Sequence, residues 1–168
     1  MADVVTHLAS GVLPAALFAP RLLGPVAIGT VLPDATGRVP QIAIQLLSIP
    51  VPDAVSWGLD VLHQPLAQLL FAGLIALGFC ERDRRAALLG MVVGIGLHFG
   101  LDVLQDHHGQ GYHLLFPLSV QRFELGWIGS EATVSVAPWI GAVTLVVVLW
   151  RLWRRATRPP DHSEGRAA

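Results

Sequence analysis

The chain has 168 residues, of which 53% are hydrophobic and 14% are charged, against about 25% charged in an ordinary soluble domain. All of its cations are arginine and its formal net charge is -1, so no basic excess points to nucleic acid. The one cysteine, Cys80, excludes an internal disulfide and a thiolate metal cluster.

Five uncharged apolar runs organise the sequence. Residues 4–20 hold His7 as their only ionisable group, and 22–33 follow after Arg21. The second run rises only about 18 Å as a helix, too short to cross a bilayer alone. With Pro14, Pro20, Gly24 and Pro25 the pair reads as a short broken hairpin. Met1-Ala2-Asp3 lacks the basic start of a cleavable signal, so the first run is expected to persist. Residues 38–60, with Pro40, Pro50 and Pro52, read as a surface segment with one or two short interfacial helices. Residues 61–80 and 132–150 approach the roughly 20 needed for a span, and 86–101 does so if extended to Gln105. The expected fold is all-α: a polytopic membrane helical bundle with about four embedded segments, one domain over 1–158, and a polar, disordered tail at 159–168. Gly90/Gly94 and Gly96/Gly100 read as close helix packing.

Arginine placement predicts an orientation. Arg21, Arg82, Arg84, Arg85, Arg151, Arg154, Arg155 and Arg158 all fall at one set of helix ends, which the positive-inside rule makes cytoplasmic. The opposite ends then carry His7, Asp34, His63, His98, Asp102, Asp106, His107, His108 and His113. Histidines and acids kept for structure alone have no reason to sort in this way.

His98 and Asp102 are the strongest candidates, because a four-residue spacing stacks them on one helix face. An ionisable group in an apolar helix needs a partner, since an unpaired charge in lipid costs at least about 2.5–3.5 kcal/mol. That partner is a metal, a proton relay or another helix. Asp34, in Leu32-Pro33-Asp34-Ala35-Thr36-Gly37, suits a ligand and equally a turn. His7 lies inside an apolar run, and His63 precedes Gln64-Pro65 near a helix start. His98, Asp102, His63 and Asp34 are expected to share one ion. Imidazoles and carboxylates together suit Zn²⁺, with Mn²⁺ or Fe²⁺ as alternatives. In an active site, Asp106 or His113 would protonate a leaving group and Arg122 would hold an anionic substrate group. No Walker A, G-x-S-x-G or H-E-x-x-H motif is present.

Thr6-His7, Leu32-Pro33-Asp34, His63, His98-x-x-x-Asp102, Gly111 and Leu115-Phe116-Pro117-Leu118 follow one another in this order. The pattern resembles the small membrane-bound metal-dependent hydrolases of the bacterial and archaeal inner membrane. Their H-x-x-x-D is similar to that of zinc-dependent phospholipases C. The resemblance implies a helical metal site of His7, Asp34, His63, His98 and Asp102, with Asp102 bridging two ions. It implies a metal-dependent hydrolase embedded in the bilayer. Because the candidate site falls at helix ends near the head-group level, a lipid phosphoester attacked by metal-activated water is the expected substrate. Two positions depart from that pattern: Thr36 stands where the family often has a second acid, and Gln68 where it often has a second histidine. Two other classes fit the same residues. One is a non-catalytic membrane protein that binds or passes metal ions or protons. The other is a scaffold whose buried polar groups lock helices together.

Overall fold

The computed structural model describes residues 4–106 and 111–157. His107, His108 and the tail from 159 lie outside the described residues. Among the described residues, seven α-helices run in the order α1 (Val4–Phe18), α2 (Leu23–Pro33), α3 (Val39–Leu46), α4 (Asp53–Leu62), α5 (Pro65–Leu77), α6 (Glu81–Leu104) and α7 (Ser130–Ala156). Among the described residues the only extended pairing is two isolated bridges, Gln105 with Ile128 and Tyr112 with Phe123.

The first two apolar runs form a helical hairpin closed by a turn at 19–22, and Pro14 lies inside α1 without ending it. Asp34 is not a turn residue. A π-helical segment, Asp34–Arg38, carries α2 directly into α3. Asp34 opens this segment and is buried, and such bulges recur at functional sites. The surface segment does carry two short helices, α3 and α4, neither with a buried residue.

The run 61–80 departs from expectation. Gln64 is extended (ψ 154°) because the ring of Pro65 disfavours helical backbone in the residue before it. The helix therefore breaks after Leu62 and restarts at Pro65, with a 66° bend between α4 and α5. With 13 residues, α5 is only about 20 Å long. Two helices, α6 and α7, are long and apolar enough to cross a membrane, and the bent α4–α5 pair would make a third crossing. Of the four embedded segments expected from sequence, the first is the α1–α2 hairpin, which packs against the others, and two or three of the rest are long and apolar enough to span.

The largest interface joins α2 to α6. A Cβ on Gly90 would lie 2.6 Å from Pro25 Cβ, and one on Gly94 would lie 2.7 Å from Thr30 N and collide with the Val26 carbonyl. Side-chain-free positions thus bring the two backbones together. Among the described residues nothing lies within 4 Å of a Cβ at Gly96 or Gly100, so the second glycine pair, unlike the first, makes no helix contact within the chain. Ala72, Ala76, Met91, Ile95 and Phe99 form the apolar core between α5 and α6. Helix α7 packs chiefly on α1 and leaves Val143, Leu145 and Val146 exposed.

Helix directions follow from these contacts. Helices α2 and α6 run parallel, as do α1 and α7, where Thr6 meets Thr133 and Leu17 meets Arg151. One end of the bundle therefore gathers the start of α1, the end of α2, the start of α5 and the end of α6. The other end holds the turns at 19–22 and 78–80 and the arginine-rich end of α7.

Candidate metal centre

His98 and Asp102 lie one turn apart near the end of α6, both buried. The close approach of α2 places the Thr30 carbonyl 2.9 Å from His98 Nδ1. On the far side, the Pro33 carbonyl lies 2.9 Å from His63 Nδ1. Gly37 permits that approach, since a Cβ there would sit 2.7 Å from His63 Cβ. A carbonyl can only accept, so both rings donate through Nδ1, and in a neutral imidazole Nε2 then carries the lone pair.

Those Nε2 atoms converge on one carboxylate. Asp102 Oδ2 is 3.2 Å from His98 Nε2 and 3.4 Å from His63 Nε2, and Asp102 Oδ1 is 3.2 Å from His7 Nε2. Asp34 Oδ1 stands 4.0 Å from His98 Nε2. The His7 and His98 rings stack at 4.0 Å. The donor atoms of His7, Asp34 and His98 lie within 4.8 Å of one another, as do those of His63, His98 and Asp102. His98 belongs to both groups.

The five residues singled out as ligands are thus brought together, with His63 far closer to Asp102 than the 8 Å or so beyond which two ligands cannot share an ion. The donors suit a small cation. Ligands bonding at about 2.0–2.1 Å in a tetrahedron stand roughly 3.3 Å apart. Carbonyl-held Nδ1–H groups also orient imidazoles as metal-ligating histidines usually are.

The residues proposed for catalysis fall differently. His113 and Arg122 line a cavity of about 230 Å³ with Trp57, Gln64, Phe116 and Val120. None of the five cluster residues lines this cavity; its links to them are Gln64 and His113, the chain neighbours of His63 and Tyr112, whose rings stack at 5.4 Å. Asp106 lies just past α6, its N–H donating to the Ile128 carbonyl, and lines neither the cluster nor this cavity.

Thr36 and Gln68, the two departures from the hydrolase pattern, meet: Gln68 Nε2 donates to Thr36 Oγ1 at 2.8 Å and to the Leu62 carbonyl.

Two site residues were not found from sequence. Tyr112, buried, stacks on His63, and its hydroxyl accepts a hydrogen bond from Arg38 at 3.2 Å. Burial, and then the charge of Asp102, push its phenol pKa up from the ordinary value. Gly111 allows this placement, because a Cβ would lie 2.6 Å from the Phe123 carbonyl across the bridge. The signal available was the chain's only tyrosine lodged between Gly111 and His113.

Comparison with known proteins decides the family. A family model described as YdjM inner membrane protein matches residues 1–159. The chain belongs to the YdjM inner membrane protein family. No curated protein and no solved structure matches it. Membership makes this an inner-membrane protein, in keeping with the apolar α6 and α7.

Proposed function

We propose that His7, Asp34, His63, His98 and Asp102 hold a divalent cation, zinc first, and that the protein is a membrane-bound hydrolase of a phosphoester carried by a lipid. One observation carries the metal reading. His98 Nδ1 is committed to the Thr30 carbonyl, while its buried Nε2 has no hydrogen-bond partner and faces two carboxylates. A lone pair aimed at carboxylate oxygens in a dry interior is unfavourable unless a cation or an added proton lies between them. With neutral imidazoles the two acids leave two negative charges, which one divalent ion balances.

A bound ion of this kind lowers the pKa of its water and polarises a phosphoryl oxygen. The protein's own groups supply the rest. The cavity beside the cluster would receive the substrate head, Arg122 would pair with its phosphate, and His113 would donate a proton to the leaving oxygen. The apolar Leu115 and Leu118, both exposed, would face the acyl region. The arginine distribution favours the cytoplasm for the opposite end, which would turn this site away from it.

The test has two readouts. Purified protein should carry about one equivalent of divalent metal, and both His98→Ala and Asp102→Asn should lose it. Metal-loaded protein should release phosphate or a phosphorylated head group from a membrane lipid. Native protein with no metal under any loading condition would reject the centre. Bound metal without turnover on a broad lipid panel would reject the hydrolase.

A further inference from the structure

At the opposite end of the bundle a second cavity, of about 220 Å³, is lined by Pro20, Arg21, Arg151, Arg154 and Arg155. We propose that it binds a phosphate group, carried by an anionic membrane lipid in the adjoining leaflet. This site is independent of the metal centre.

The arginines come from two elements far apart in sequence, the α1–α2 turn and the end of α7. Ordinary topology-setting arginines are only required to lie on the correct side of the membrane. Here two of them are fixed in place: Arg151 Nη2 donates to the Leu17 carbonyl at 2.7 Å and Arg155 Nη2 to the Pro20 carbonyl at 3.3 Å. Those carbonyls at and just past the end of α1 lack a helical partner and attract cations. Arg154 lies over the Trp150 ring, 5.2 Å from its centroid. Among the described residues, none of the four is paired with a carboxylate.

Each guanidinium has five donors, and the protein takes few of them. Arg151 Nε is buried without a partner. Preorganised, acid-free guanidinium groups around one cavity fit the several acceptor oxygens of a phosphate. Arg82, at the same end of the molecule, offers a contrast: it is almost fully exposed, paired with Asp83, and outside the cavity.

The lipid source is favoured by what surrounds the cavity. Phe18, Leu152 and Trp153 are exposed apolar side chains next to the lining residues, with Phe18 at 84%. They supply surface for acyl chains beside the charged head. Basic pockets at the ends of membrane helices bind anionic head groups in this way.

The experiment uses full-length protein in a neutral detergent and follows thermal unfolding. It titrates short-chain phosphatidylglycerol, short-chain phosphatidylcholine and inorganic phosphate separately. Phosphatidylglycerol should raise the unfolding temperature and phosphatidylcholine should not. Arg151→Gln/Arg155→Gln should weaken the apparent lipid affinity at least tenfold, since each arginine near an anionic lipid contributes several-fold. Should that variant fail to fold, Arg21→Gln, which removes no hydrogen bond to α1, should weaken it several-fold. Arg82→Gln/Arg85→Gln removes the same charge outside the cavity and should leave the affinity unchanged. An equal loss in that control would show diffuse surface attraction and overturn the proposal. An equal response to inorganic phosphate would overturn the lipid as the source.

Discussion

Replacing Gly94 by alanine isolates the contact on which the His98 geometry depends. The new methyl would collide with the Val26 carbonyl and lie 2.7 Å from Thr30 N, both backbone atoms of α2. Backbone cannot swing aside as a flexible side chain can, so α2 must retreat from α6. Overpacking of this kind costs about 1–3 kcal/mol. Gly96→Ala is the matched control, because nothing lies within 4 Å of the position and its methyl is free to project outward. Alanine there should stabilise the helix by up to about 1 kcal/mol. The propensity gain is common to both variants, so they should differ by the overpacking cost of about 1–3 kcal/mol, although each adds one methyl to the same helix. The assay is unfolding of purified protein on titrating a denaturing detergent into a mild one, followed by helicity. Retreat of α2 also withdraws the Thr30 carbonyl from His98 Nδ1, so Gly94→Ala should bind metal more weakly. Equal stability of the two variants would refute the argument that the α2–α6 approach sets the site.

Thr36→Asp with Gln68→His places an acid and an imidazole where a hydroxyl and an amide now meet at 2.8 Å; metal per protein should rise above the native value, and an unchanged ratio would reject a second ligand position there. The sole tyrosine gives a clean alkaline titration: the folded Tyr112 phenol is raised above the ordinary value of about 10, so its contribution to stability is complete below that value and is lost as pH climbs through the folded one. Tyrosinate absorbance should appear at higher pH in native than in unfolded protein, and coincident curves would contradict the burial of the hydroxyl. The exposed Cys80 lies at the arginine end and should resist an impermeant thiol reagent added outside intact cells, while Leu118→Cys in a Cys80→Ser background should react. Labelling of native Cys80 from outside would turn the His/Asp cluster towards the cytoplasm.

Much of the site was legible because ionisable residues in apolar runs carry their own warning. His7, His98 and Asp102 needed partners wherever the helices placed them. The α5 boundary was written in Gln64-Pro65 but hidden by the continuous apolar composition around it. The π-helical turn at Asp34 was not legible, because Pro33, Thr36 and Gly37 serve a reverse turn equally well. Gly90/Gly94 and Gly96/Gly100 look alike in sequence, and only the position of α2 makes one pair an interface. Tyr112 and Arg38 escaped notice for the same reason: their meeting depends on a bridge between residues 112 and 123 of the same chain that no local pattern announces.

Because α1 and α7 lie side by side and point the same way, the start of the first helix and the end of the last lie on opposite faces of the molecule. An affinity tag or reporter domain is therefore not interchangeable between the two. A bulky group joined ahead of Val4 would crowd His7, which sits one turn inside α1. One joined beyond Thr157 would stand the full length of the bundle away from His7, beside the arginine cavity instead.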